Sequence, residues 1–217
     1  MKKILIYGIN QQAQQLYYYI RHENERIVSA FVVDREYKSM DELLGLPVYC
    51  FEEIESIFSA DEYEVLLSFG YKNMVRNRQE KYNLCKEKGY ALASYISKAA
   101  KVYTDQIGES VIIYPNTIVA PFVTIGDGCF IETSCTIAHH TSIGSFSFLA
   151  PGVTISGDVK IGDNCFLGCG SIVSASAKID DLVVVGAGVC VTNDLTSNTA
   201  LRHNDPIKLS KDVEVYI

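Results

Sequence analysis

The chain has 217 residues, a formal net charge of −7 and a hydrophobic fraction of 48%. That apolar content excludes disorder for most of the length. The acidic balance argues against a nucleic-acid or anionic-membrane partner, because no basic excess exists to neutralise phosphates. Seven cysteines, an odd number, exclude a fully paired disulfide set.

The first elements alternate apolar runs with amphipathic stretches. Met-Lys-Lys-Ile-Leu-Ile-Tyr-Gly at the start reads as a buried strand reaching a glycine. It lacks the apolar region and cleavage site of a signal peptide. No apolar run approaches the ~18 residues of a membrane-spanning helix. A reduced, cytoplasmic protein is expected. Gly8-Ile9-Asn10 predicts a turn, and residues 11–23 a helix. Residues 28–33 predict a second strand ending in Asp34, and 45–49 a turn and short strand. Residues 51–58 predict a short helix, 64–69 a strand ending at Gly70, and 73–88 a charged amphipathic helix. This order predicts a small parallel sheet flanked by helices over 1–95.

From Ile107 the period changes. Stepping by six gives Ile107, Ile113, Val119, Ile125, Ile131, Ile137, Ile143, Leu149, Ile155, Ile161, Leu167, Val173, Ile179, Val185 and Val191, without a break. Four residues after the stops lie small or β-branched residues such as Val111, Thr117 and Cys129. One residue after many of them lie Gly or Ala, as at Gly108, Gly126, Gly144 and Gly162. Neither a helical nor a plain strand period produces this pattern. A coil of short strands does: each hexapeptide supplies one flat side and one corner, and three sides close a triangle. Fifteen repeats predict about five coils, in a prism ~24 Å tall at the strand spacing. Each aliphatic stop points inward and stacks on its copy 18 residues on. Domains are expected at 1–95 and 96–195, with a tail at 196–217.

Cys129, Cys135 and Cys165 fall at the small stacked position, so their spacing follows the period rather than metal geometry. No metal is expected. The histidines number four: His22, His139, His140 and His203. His139 and His140 fall together at a corner and project outward.

The hexapeptide segment resembles the left-handed parallel β-helix of the hexapeptide-repeat acyltransferases. With the Rossmann-like α/β region before it, the chain is similar to bacterial nucleotide-sugar acetyltransferases. That group includes the bacillosamine-pathway and perosamine N-acetyltransferases and the sialic-acid O-acetyltransferase-like proteins. The resemblance implies acetyl-CoA as co-substrate and a nucleotide-sugar acceptor. It also implies a homotrimer with sites between subunits.

The segment Ile137-Ala138-His139-His140-Thr141-Ser142-Ile143-Gly144 is similar to the family's Ile-x-His-Asp/His-x-x-Ile-Gly. The resemblance makes His139 the general base, a task a neutral imidazole suits near pH 7. His140 becomes a neighbour on the substrate side. Glu132 stands where the family usually has asparagine near the sugar's amino group. It would orient His139 or bind an ammonium, or else be an exposed corner carboxylate. Gly157, Cys169 and Ala187 match the pantetheine-holding corners, and Phe148 replaces a family histidine there with a ring that could pack on pantetheine.

In the first unit, Gly8, Asn10, Asp34 and Gly70 are the candidates for the nucleotide side. Tyr7-Gly8-Ile9-Asn10 is a weak dinucleotide fingerprint, and NAD is not expected. The expected reaction is N-acetylation of a nucleotide-linked amino sugar, with sugar or sialic-acid O-acetylation as the alternative. A γ-type carbonic anhydrase would need three histidine ligands, and His139 and His140 share one corner. A non-catalytic scaffold would have no use for the His139 segment.

Overall fold

The computed structural model describes residues 2–23, 26–68 and 74–202, with the side chains of 74–77 excepted. The expected site at Gly70, and the stretch 203–217 with His203 and Lys208, lie outside the described residues.

The first unit opens with β1 (Lys3–Tyr7), buried from Ile4 onward. Asn10 then starts α1 (Gln11–Glu23): its side-chain oxygen accepts the Ala13 N–H at 2.9 Å, the usual satisfaction of an unpaired first-turn donor. Ala13, Leu16 and Ile20 form the buried stripe of that helix. Next come β2 (Val28–Val33), β3 (Glu42–Leu43), β4 (Leu46–Cys50) and a single-turn helix at Phe51–Ser56. The unit ends with β5 (Tyr63–Leu67), α2 (Met74–Glu87) and β6 (Ala91–Leu92). The sheet order is β3-β4-β2-β1-β5-β6, parallel throughout except for the β3–β4 hairpin. β1 is central, so its carboxyl end meets the ends of β2 and β5.

The rest of the described chain is a three-faced parallel β-helix of two-residue strands. Each strand ends on an aliphatic stop, and the stops pair in register 18 residues apart: Val119 with Ile137, Ile137 with Ile155, Ile155 with Val173. These residues and the small ones four positions later fill one continuous interior. The repeat thus specifies a core by stacking copies of itself.

Among the described residues there are six coils rather than the expected five, and the period slips at both ends. Val119 pairs with Val102, seventeen residues earlier, and Ile113 with Ile96. At the other end Leu201 pairs with Val185 and Leu195 with Ile179, each sixteen residues apart. The first and last coils are therefore out of phase with the count from Ile107. The prism runs on to Ala200–Leu201, beyond the expected end at 195, and is ~29 Å tall at the strand spacing.

Three residues after each inward stop the backbone turns with positive φ. Every such corner from Ser110 to Gly188 does so, whether it holds Gly, Asn, Ser, Asp or a bulky side chain. Phe122, His140, Phe146 and Leu182 are the bulky ones, at φ +57 to +64. Such residues are outliers in that region.

The two units share a core. On one face of the prism the outward residues are Ile112, Phe130, Phe148 and Phe166, one per coil. The Phe130, Phe148 and Phe166 rings stack at centroid distances of 5.2 and 5.6 Å. α1 lies between this aromatic ladder and its own sheet, so Leu16, Ile20 and Phe31 belong to one cluster with Tyr114, Phe130 and Phe148. Arg78 of α2 locks the same junction. It is 5% exposed and donates to the carbonyls of Leu67, Ser110 and Gly128 at 3.0, 2.9 and 2.7 Å. Burial pulls its pKa down to about 10. One guanidinium thus ties the end of β5 to two corners of the prism.

Candidate active site

Two regions carry the candidate chemistry. The first is the carboxyl edge of the parallel sheet, where ligands settle in open α/β sheets. Gly8 follows β1 with φ +126, and a Cβ there would lie 2.5 Å from the Ser68 Oγ, which itself donates to the Tyr7 carbonyl at 2.7 Å. Only glycine permits that crossing of the β1 and β5 ends. Asp34 ends β2. Its carboxylate accepts from the Tyr7 hydroxyl at 2.6 Å and from the Lys81 ammonium at 2.7 Å. Burial, then the bond to Asp34, push the Tyr7 hydroxyl well above its ordinary range, so it remains a donor. Asp34, Arg35, Glu36, Glu52 and Lys81 line an open cleft of ≈ 460 Å³ there. Asn10, expected to touch substrate, spends its side-chain oxygen capping α1.

The second region is a prism corner. Ile137 ends its strand inside the prism, and the chain then turns outward through His139 and His140. The two Nδ1 atoms lie 3.0 Å apart, so one of the pair carries the proton and the other accepts it. His140 occupies the positive-φ position, and the His139 carbonyl accepts the Asp158 N–H at 2.9 Å. One coil up, Gly157 lies directly against the His139 ring: a Cβ on it would be 2.7 Å from Cε1 and 2.9 Å from Nε2. The structure thus brings together His139, His140 and Gly157. Among the described residues, the Gly157 N–H has no acceptor and so is available beside His139.

Glu132 belongs elsewhere. It follows Ile131 on the aromatic face, so it turns a different corner from His139, which follows Ile137 on the next face. It is 8% exposed, and its carboxylate is held by Gln12 of α1 and by the Thr133 amide. Desolvation outweighs both bonds and pushes its pKa up. Orienting His139 within one chain is therefore corrected, and so is exposure: Glu132 is a buried acid at the junction of the units. Cys169 and Ala187 share its corner rather than that of Gly157. Cys169 is exposed.

Phe148 is corrected too. Its ring is 4% exposed and stacked between Phe130 and Phe166, so it has no face for pantetheine. Its recurrence with Phe130 and Phe166 at 18-residue spacing was the available signal that one prism face is covered. One neighbour of this corner is not marked by the sequence pattern. Phe122 stands one coil below His140, its ring 4.8 Å from that imidazole. Among the described residues, no three His, Cys, Asp or Glu side chains gather as metal ligands. No helix there is long and apolar enough to cross a membrane.

The family model described as bacterial transferase hexapeptide (six repeats) matches residues 106–139, 124–157, 140–175 and 158–193. Among solved structures, the acetyltransferase domain of PglB from Neisseria gonorrhoeae FA1090 superposes with TM-score 0.81 at 18% identity, over 92% of this chain and 96% of that one. PerB from Caulobacter crescentus, in complex with CoA and GDP-perosamine, gives TM-score 0.80 at 23% identity, over 92% and 93%. WeeI from Acinetobacter baumannii AYE gives 0.74 at 20%, over 92% and 96%. Comparison with curated protein sequences finds no match. The repeats and the short parallel strands fit a left-handed β-helix. Residues 106–193 thus match the bacterial transferase hexapeptide model, and the chain shares its fold with the PglB acetyltransferase domain and with PerB.

Proposed function

We propose that the protein is an acetyl-CoA-dependent N-acetyltransferase acting on the amino group of a nucleotide-linked amino sugar. The Rossmann-like unit, 1–95, holds the nucleotide, and the β-helix holds acetyl-CoA. The observation that carries this reading is the His139 ring seated on Gly157, beside an unengaged backbone N–H, with His140 Nδ1 at 3.0 Å. Similar folds hold acetyl-CoA, in the PglB domain, and CoA with GDP-perosamine, in PerB.

The chemistry follows from those groups. With His139 Nδ1–H donating to His140 Nδ1, His139 Nε2 keeps its lone pair and acts as base. It takes a proton from the amine as nitrogen attacks the thioester carbonyl. The C–N bond forms, the C–S bond breaks, and the proton passes to the departing thiolate. In this reading the Gly157 N–H donates to the carbonyl oxygen as it gains charge. No acyl-enzyme is required.

Gly157 stands on the His139 corner, while Cys169, Ala187 and Glu132 stand on another. One chain does not converge them, which supports a homotrimer in which neighbouring copies complete each site. In that assembly Glu132, Gly8 and Asp34 belong to the acceptor side.

His139→Ala is expected to lower kcat by ~10²–10⁴ while the mass by light scattering stays that of the wild-type assembly. Thiol release from acetyl-CoA with a panel of UDP-, dTDP- and GDP-linked amino sugars measures it. A near-wild-type rate removes His139 as base. O-Acetylation is the second reading, carried by Glu132: a desolvated acid does not by itself demand an ammonium. Hydroxylamine cleaves an ester product and spares an amide, which separates the two.

A further inference from the structure

Phe122 is unexplained by folding needs. Its side chain is 64% exposed, so burial does not account for it. It turns its corner at φ +64, a conformation a bulky residue enters with difficulty. Equivalent corners elsewhere in the prism mostly hold Gly, Ser, Asn or Asp; Phe146 and Leu182 are the other large apolar residues there, and Phe146 packs edge-on against Tyr82. The turn therefore favours a residue the sequence does not use here. Backbone outliers of this kind gather where function over-rules local preference.

What the ring touches gives it a task. It lies 4.8 Å from the His140 ring, tilted by 34°. His140 meets His139 edge-on, with ring centroids 5.2 Å apart and interplanar angle 84°. His139 in turn rests on Gly157. Phe122, His140, His139 and Gly157 form a continuous wall up one corner over three successive coils. His140 is gripped between Phe122 and His139.

We propose that Phe122 is a positioning residue for the general base. Its ring holds His140 so that Nδ1 stays against His139 Nδ1, and this keeps the lone pair of His139 on Nε2. The inference rests on the acetyltransferase reading, in which His139 is the base. Phe122 itself touches neither reacting group.

The test compares Phe122→Gly with Phe122→Tyr in the full chain. Glycine relieves the backbone, so Tm is expected to hold or rise. Meanwhile kcat is expected to fall about tenfold or more through misplacement of the base, with KM for acetyl-CoA within about twofold. Tyrosine is expected to restore kcat to within about threefold of wild type, since it keeps the ring. Histidine-selective nitrogen–proton correlation spectra supply a readout independent of turnover. Wild type should show one Nδ1-protonated neutral imidazole for the pair, and Phe122→Gly should lose it. Loss of kcat in step with loss of Tm overturns the proposal, as does an unchanged tautomer signal in the glycine variant. If wild type transfers acetyl to no amino sugar, the acetyltransferase reading fails. The spectra then still decide whether Phe122 sets the His139–His140 pair.

Discussion

A methyl group added at Gly157 would lie 2.7 Å from Cε1 of His139, closer than carbon atoms approach. Gly157→Ala is therefore expected to swing the imidazole aside and cut kcat by about 10²-fold, while Tm changes little because the corner is at the surface. Steady-state kinetics with thiol detection checks this, and an unchanged kcat would show that the contact is idle. Glu132 makes a pH prediction. Its folded pKa lies above the unfolded value, so the folded chain holds the proton more tightly. Its contribution to stability is present below the ordinary carboxylate range and is lost as pH rises through the raised value. Glu132→Gln should gain Tm over wild type at about pH 7.5 and lose that advantage near about pH 4. Equal differences at both pH values would refute the linkage. The outward placement of His139 was legible in the sequence, because a polar pair beside an inward aliphatic stop must project outward. The burial of Glu132 was not, because it is imposed by a helix more than a hundred residues earlier in the chain.

Among the elements, α2 shows how a charged helix serves as a fastener. Arg78 reads in sequence as one more solvated cation, yet its guanidinium reaches the carbonyls of Leu67, Ser110 and Gly128. Tyr82 adds a bond to Glu109 at 2.5 Å, and its ring meets Phe146 edge-on. Arg78→Met would leave three buried carbonyls without donors, at ~1–3 kcal/mol each. A loss of about 3 kcal/mol or more is expected, roughly 6–12 °C in Tm for a chain this size. Calorimetry decides; an unchanged Tm would mean water replaces the guanidinium. The strands of the first unit and both helices could be placed from apolar runs and periodicity. The two-residue β3 and β6 could not, since nothing in so short a segment distinguishes them from loop. In the prism, the positive-φ corners were present in the sequence as a run of Ser, Asn, Asp and Gly. Phe122, His140, Phe146 and Leu182 broke that run, and each is now found on the surface of a turn.

At the scale of the whole molecule, the two units are one folding problem. Ile112, Phe130, Phe148 and Ala150 of the prism bury themselves against α1, so deleting 1–95 would strip an aromatic face bare. Such a fragment is expected to aggregate rather than report substrate affinity, and size-exclusion chromatography would show it. Phe148→Ala in the full chain is the gentler probe. It should cost about 3–5 kcal/mol, measured by chemical denaturation, and a cost near zero would place the ring outside the shared core. The six-residue repeat was legible because each coil repeats the demand of the last. The junction was not, because an aromatic every 18 residues marks a covered face without saying what covers it.

The shortened coils at the two ends of the prism have a consequence for solubility. A stack of strands has open rims, and a rim in perfect repeat is a template on which another prism could grow into a filament. Here the rim at Tyr95–Ile96 and Lys101–Val102 closes seventeen residues below its neighbours, and the opposite rim sixteen. Neither matches the 18-residue rise that an arriving prism would present. Lys98 also reaches across to the Glu23 carbonyl at 2.8 Å, setting a charge at the lower rim. The irregular coils that hid the ends of the repeat thus break, at both ends of the six described turns, the match that end-to-end growth would need.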